Sequence, residues 1–218
     1  MKRKIKLKEW TEAELINAFG LKRIKDPYTP LLVEWLDNEP ITLNEVEKYI
    51  FELAYKNALN NIEGWKEEDL KMKFIAPILI LGQMNDEKDI IGFFDKIIAA
   101  NVAGIELTVK ADFILAKGVL DLIQTPYFHF QEYKPYKNPT GDSRAQLLEA
   151  FLIAQEINKN GKPLYGVDIV GKHWNFIVME AKEYCISSSF DATNETELLS
   201  IIAILRKFKT ILYEKLIK

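Results

Sequence analysis

Asp112 and the triplet Glu132-Tyr133-Lys134 are the residues whose types and spacing could do chemistry: two hard oxygen ligands and an ammonium. Asp112 lies in the apolar run Ala111–Ala116, and the triplet closes the run Pro126–Gln131. Both runs are short, aromatic-rich and bounded by turn formers, which predicts strands. Strand alternation then puts Phe128, Phe130, Glu132 and Lys134 on one face. An acid and a lysine ending an apolar face are costly to bury without partners. A second acid, Asp112, on a neighbouring strand would supply the other half of a hard-metal site. Singly, each residue has a plainer reading: Asp112 as a strand-end acid facing water, Glu132 and Lys134 as a surface ion pair. All three on apolar strands in this order favour a site. Two carboxylates at close quarters also repel, so removing Asp112 is expected to raise stability in the absence of metal.

Composition narrows the chemistry. With 218 residues, 48% hydrophobic and 28% charged, the chain can bury one substantial core, and the balance is that of a soluble globular protein. No apolar run approaches the roughly 20 residues needed to span a membrane. Met1–Lys6 is basic but no apolar stretch follows, so a secretory signal is not expected and a cytoplasmic location is. A single cysteine, Cys185, excludes an internal disulfide framework. With only His129 and His173 beside it, soft ligands are too few for zinc, and any metal should be held by carboxylates. The net charge of −3 speaks against a strongly basic nucleic-acid face.

The elements that would position these residues fall in two parts. Residues 1–62 read as a helical cap or docking segment, a surface for a protein partner or a second copy. Thr11-x-x-Glu14 is a capping box before Leu15, Ile16 and Phe19, with Gly20 as the stop. After the turn Asp26–Pro30, Leu31–Leu36 forms a short helix. Thr42-x-x-Glu45 opens a longer one with Val46, Tyr49, Ile50, Leu53 and Ala54 at helical spacing. Residues 63–218 read as an α/β domain. Glu67, Leu70, Phe74 and Ile78 share a helix face, with Pro77 unusually inside the helix. Three acids in its first turn, Glu67, Glu68 and Asp69, also suit the macrodipole alone. Strands follow, with a hairpin near Val102-Ala103-Gly104, the Asp112 strand up to Lys117-Gly118, and the strand from Pro126 to Lys134. After the loop 135–142, a helix runs from Ser143 to about Asn158, where Ser143-x-x-Gln146 reads as a capping box. Leu164–Val170 and Trp174–Met179 form a hairpin around Gly171-Lys172-His173. A last helix begins at Asn194-x-x-Glu197.

The order Asp112, then Glu132-x-Lys134, resembles the core signature of the PD-(D/E)xK nuclease superfamily, over roughly residues 65–180. The stretch from Glu67 to Phe74-Ile75-Ala76-Pro77-Ile78-Leu79 is similar to the first core helix in the nuclease domain of type I restriction enzyme motor subunits. Asp112-Phe113-Ile114-Leu115-Ala116-Lys117-Gly118 is also similar to stretches in a group of bacterial proteins. The resemblance implies a restriction-endonuclease-like core of order αβββαβ, a mixed sheet flanked by helices. It implies Mg²⁺ (or Mn²⁺) held by Asp112, Glu132 and the Tyr133 carbonyl. Lys134 would position or deprotonate the attacking water. Glu67 would be the helix acid, with Glu68 as the fallback, and Gln146 the glutamine of the next helix. Four residues after that glutamine the family carries a DNA-gripping tyrosine, where this chain has Ala150.

Three functions remain open at this stage. One is a metal-dependent nuclease cutting DNA in defence or repair. Another is a catalytically silent nuclease-fold module that binds nucleic acid or a protein partner. The last is an α/β domain whose charges are structural.

Overall fold

In the computed structural model, which describes residues 9–84, 87–137 and 139–217, the chain builds an α/β fold around one mixed eight-stranded sheet. Helix α1 (Glu12–Phe19) opens on the Thr11/Glu14 capping box and closes on Gly20, whose φ of 67° suits glycine. The next segment is not wholly helical. Strand β1 (Lys22–Ile24) precedes α2 (Pro30–Leu36) and α3 (Glu45–Asn61) and joins the sheet edge. The cap of α3 is Asn44 with Glu47, not Thr42 with Glu45: the Asn44 side chain accepts from the Glu47 N–H at 2.9 Å. Its buried face is Phe51, Ala54 and Ala58, while Val46, Tyr49 and Leu53 point outward.

A helical rod follows, made of α4 (Glu67–Leu70), a π-helical turn (Lys71–Ile75) and α5 (Ala76–Leu81). Pro77 has no N–H, and its ring would crowd the carbonyl four residues back in a tight α turn. The wider turn accommodates this: the Ala76 N–H reaches the Lys71 carbonyl, five residues away.

Strands β2 (Ile90–Val102), β3 (Ile105–Val119) and β4 (Leu122–Lys134) form an antiparallel meander. Ala103 and Gly104, both at positive φ, make the two-residue turn between the first two. Strand β4 starts at Leu122 rather than Pro126, because β3 runs on to Val119 and turns at Leu120-Asp121. Its alternation also breaks. Leu115 faces His129 while Ala116 faces Tyr127, so Phe128 is an extra residue bulged out of register. Phe128 therefore joins the core on one side of the sheet and Phe130 the core on the other. The four-residue face expected from the sequence does not exist; Phe130, Glu132 and Lys134 remain in phase.

Helix α6 (Ser143–Asn158) carries the chain from β4 to β5 (Leu164–Val170), which pairs with β4 in parallel. Asp142 caps α6, accepting from the Ala145 N–H at 3.0 Å; Ser143 is the first helical residue, so no Ser143/Gln146 box forms. Strands β6 (His173–Glu180), β7 (Glu183–Ile186) and β8 (Phe190–Asp191) complete the sheet, with His173 inside β6 rather than in the turn. The order is β1-β7-β6-β5-β4-β3-β2, with β8 on β6. Helix α7 (Glu195–Ile211), capped by Asn194, ends in a π-helical turn.

Two cores sandwich the sheet. One collects α2, α3, the rod and α7; the other collects α1 and α6. Trp35 of α2 is fully buried in the first, its ring edge-on to Tyr165 and Phe176. Its Nε1 donates to the Ile204 carbonyl of α7 at 3.0 Å. Residues before position 62 thus share sheet and core with those after it. Among the described residues no helix is long and apolar enough to cross a membrane.

Candidate functional site

The β3·β4 ladder stops at Phe113↔Gln131, and beyond it the strands part. Side chains take over the hydrogen bonds there. The Tyr133 N–H donates to Asp112 Oδ2 at 2.7 Å, and the Asp112 N–H donates to the Glu132 carboxylate. On the other flank, β2 pairs Phe94↔Phe113 and Lys96↔Ala111, skipping Asp95, which sits at φ 55°. Asp112 therefore occupies an irregularity on both sides, and its carboxylate lies in the gap between strands. Asp112 is 4% exposed, Glu132 2% and Lys134 6%. Lys134 Nζ donates to Glu132 Oε1 at 2.9 Å.

Sequence reasoning missed a principal occupant of this gap. Lys71, on the first residue of the π turn, donates to Asp112 Oδ1 at 2.8 Å. It also meets Glu67 at 3.0 Å and Asp95 at 3.4 Å, and lies 5.9 Å from the centre of the Tyr133 ring. The signal was present. Lys71, Phe74, Ile75 and Ile78 stand at i, i+3, i+4 and i+7, so Lys71 belongs to the apolar stripe and not to the solvated face. Asp95 was missed as well; Lys110 pairs with it at 2.5 Å.

The other expected residues fall as follows. Glu67 is half-buried in the first turn of α4 and reaches Asp112 through Lys71; its charge also acts on Lys134. Glu68 is exposed. Tyr133 is fully buried, its hydroxyl donating to Gln131 Oε1 at 2.7 Å, and Gln131 Nε2 lies 3.0 Å from His129 Nε2. Gln146 lies on the first turn of α6 near Gly141, and its Oε1 is buried with no hydrogen-bond partner among the described residues. Ala150 and Phe151 are core residues against the sheet. A further buried acid, Asp168, stands in register with Glu132 on β5; Ser143 Oγ donates to it at 2.5 Å, and burial raises its pKa.

Electrostatics sorts these groups. Burial, then the nearby Asp112 charge, pushes the Glu132 carboxyl up to about 8, against the opposing pull of Lys134 and the Asp112 N–H. Burial works against the Lys71 charge, but Asp112 and Glu67 outweigh it and raise its pKa. Lys134 is raised too, with Glu132 overcoming the burial penalty. Both ammoniums stay charged at neutral pH. Four carboxylates (Glu67, Asp95, Asp112, Glu132) thus face three ammoniums (Lys71, Lys110, Lys134). With Glu132 ionised the cluster is one positive charge short.

That shortfall bears on metal. The described residues contain no group of three or more histidine, cysteine or acidic side chains arranged to hold an ion. The donors at the gap are the carboxylates of Asp112 and Glu132, with no thiolate; His129 is fully buried, and burial lowers its pKa to about 3. Lys71 holds Asp112 Oδ1 and Lys134 holds Glu132 Oε1, so a hard divalent cation would find its two oxygen donors here only where Lys71 yields Asp112 Oδ1, and it would then supply the charge that an ionised Glu132 lacks. Compared with protein-family models and with curated proteins, the chain matches none.

Proposed function

We propose that the chain is a nuclease-like protein that hydrolyses phosphodiester bonds of DNA with Mg²⁺ or Mn²⁺, built on a restriction-endonuclease-like core. The element order supports the core: a helical rod with Glu67 in its first turn, three antiparallel strands, a crossover helix, and a fourth strand parallel to the third. The observation that carries the function is the meeting of Asp112, Glu132 and Lys134 where β3 and β4 separate. Asp112 and Glu132 would hold the cation, which when bound stabilises charge on a scissile phosphate and acidifies water. Lys134, tethered to Glu132, is placed to orient a water or a phosphate oxygen beside them. Glu67 holds Lys71 at the cluster's edge.

The test is cleavage of supercoiled plasmid, single-stranded DNA and RNA with each metal. Lys134→Ala should abolish cutting while metal still stabilises the protein, because the carboxylates hold the ion and the lysine acts on water and phosphate. A parent that cuts no nucleic acid and gains no stability from either metal ends this reading. The alternative, a catalytically silent nuclease-fold module binding nucleic acid or a protein through the N-terminal helices, is favoured by one observation: an ammonium already sits on Asp112 Oδ1. Retained binding of DNA without cleavage at any metal concentration would select it.

A further inference from the structure

We infer that Lys71 is a resident competitor of the divalent cation, a positioning residue that sets how tightly metal is held at Asp112. The inference rests on the metal-binding reading above. Its grounds are geometric. The Lys71 ammonium lies 2.8 Å from Asp112 Oδ1, with its side chain 10% exposed. Asp112 Oδ2 is already committed to the Tyr133 N–H at 2.7 Å, so Oδ1 is the oxygen left for a cation, and Lys71 holds it. Ammonium and metal cannot share that oxygen at close range without strong like-charge repulsion.

A place for the ammonium to withdraw to exists on the same side chain's partners. Glu67 Oε1 at 3.0 Å and Asp95 Oδ1 at 3.4 Å both contact Lys71 Nζ and are more exposed, at 35% and 46% of their side chains. A shift of Nζ toward them frees Oδ1 while the lysine keeps two anionic contacts. The π turn gives this residue its reach. In that turn the Lys71 carbonyl serves the Ala76 N–H, and the side chain leaves the rod on its sheet-facing stripe.

The experiment compares the parent, Lys71→Met and Lys71→Arg in titrations with Mg²⁺ and Mn²⁺, following the melting temperature and binding heat. Methionine keeps the unbranched apolar stem and removes the charge. The expected result is metal affinity about tenfold to a hundredfold tighter in Lys71→Met, with Lys71→Arg close to the parent. If Lys71→Met does not fold alone, recovery of its circular dichroism on adding Mn²⁺ gives the same answer. Equal affinities in parent and Lys71→Met overturn the inference and leave the metal reading standing. Binding by Lys71→Met alone supports the inference and removes catalysis from the parent. No binding by any of the three proteins overturns both, and a Lys71→Met protein that stays unfolded with metal reduces Lys71 to a structural ion-pair partner.

Discussion

Glu132→Gln offers the sharpest check on the electrostatics of the gap. The folded carboxyl titrates near 8 against an ordinary value of 4.5. Between these two values the folded protein holds a proton that the unfolded chain has released. Stability therefore falls as pH rises from about 4.5 and levels above 8, the reverse of the usual salt-bridged carboxylate. Each pH unit between the two values is worth about 1.4 kcal/mol, so the ceiling is roughly 5 kcal/mol; relaxation around the ion and the Lys134 contact bring a realistic loss to about 2–4 kcal/mol. Glutamine has the same shape and keeps an oxygen for Lys134 and the Asp112 N–H, but carries no proton to lose. Urea unfolding at several pH values from 5 to 9 measures this directly. Parent and variant should agree at pH 5 and diverge steadily, the variant being more stable at pH 9. Subtracting the two curves removes other titrating groups, Asp168 among them. A flat difference curve would show that Glu132 is ionised at no cost, and the charge-deficit argument for a cation would go with it.

The remaining predictions address neighbouring contacts. Asp112→Ala should destabilise the metal-free protein by roughly 1–3 kcal/mol, read by urea unfolding, since it leaves the buried Tyr133 N–H without its acceptor and takes from Lys71 its closest carboxylate, Glu67 and Asp95 remaining. The sequence alone suggested the opposite, relief of repulsion with Glu132; Lys71 reverses the sign. Trp35→Phe should cost about 1–3 kcal/mol in the same assay, through the lost bond to Ile204 and a smaller ring in a fully buried site.

Some of this architecture was legible in the sequence, and particular residues say why. The Ala103-Gly104 turn, the Thr11/Glu14 box and the Asn194 cap are local, and local chemistry is enough to read them. Asp112, Glu132 and Lys134 stood out because charge on apolar strands is conspicuous. Lys71 did not, since a lysine four residues after a glutamate looks like a solvated pair until Pro77 is seen to widen the turn. The face of α3 was read only in part: Ala54 is buried and Ile50 packs against the core as expected, but Val46, Tyr49 and Leu53 repeat as regularly as Phe51, Ala54 and Ala58, and periodicity does not say which stripe meets the core. The Phe128 bulge and the parting of β3 from β4 depend on pairing between strands, which no single run of residues reveals.

The π turn also bears on how this helix tolerates changes in length. It carries one residue more than an α-helix would over the same rise, which amounts to an insertion absorbed where it occurred. Glu67 before it and Ile78 after it keep their bearings, Phe74 is buried within it, and Lys71 opens the widened turn. Deleting Lys71 would let the rod wind as a plain α-helix, with some crowding at the Pro77 ring, while the acid upstream and the apolar anchors downstream stay in place. The cation at Asp112 would vanish with one codon, and the helix that delivered it would remain. In this rod the winding of the helix and the charge it delivers can be inherited separately, at the cost of leaving the buried Asp112 carboxylate without its closest counter-ion.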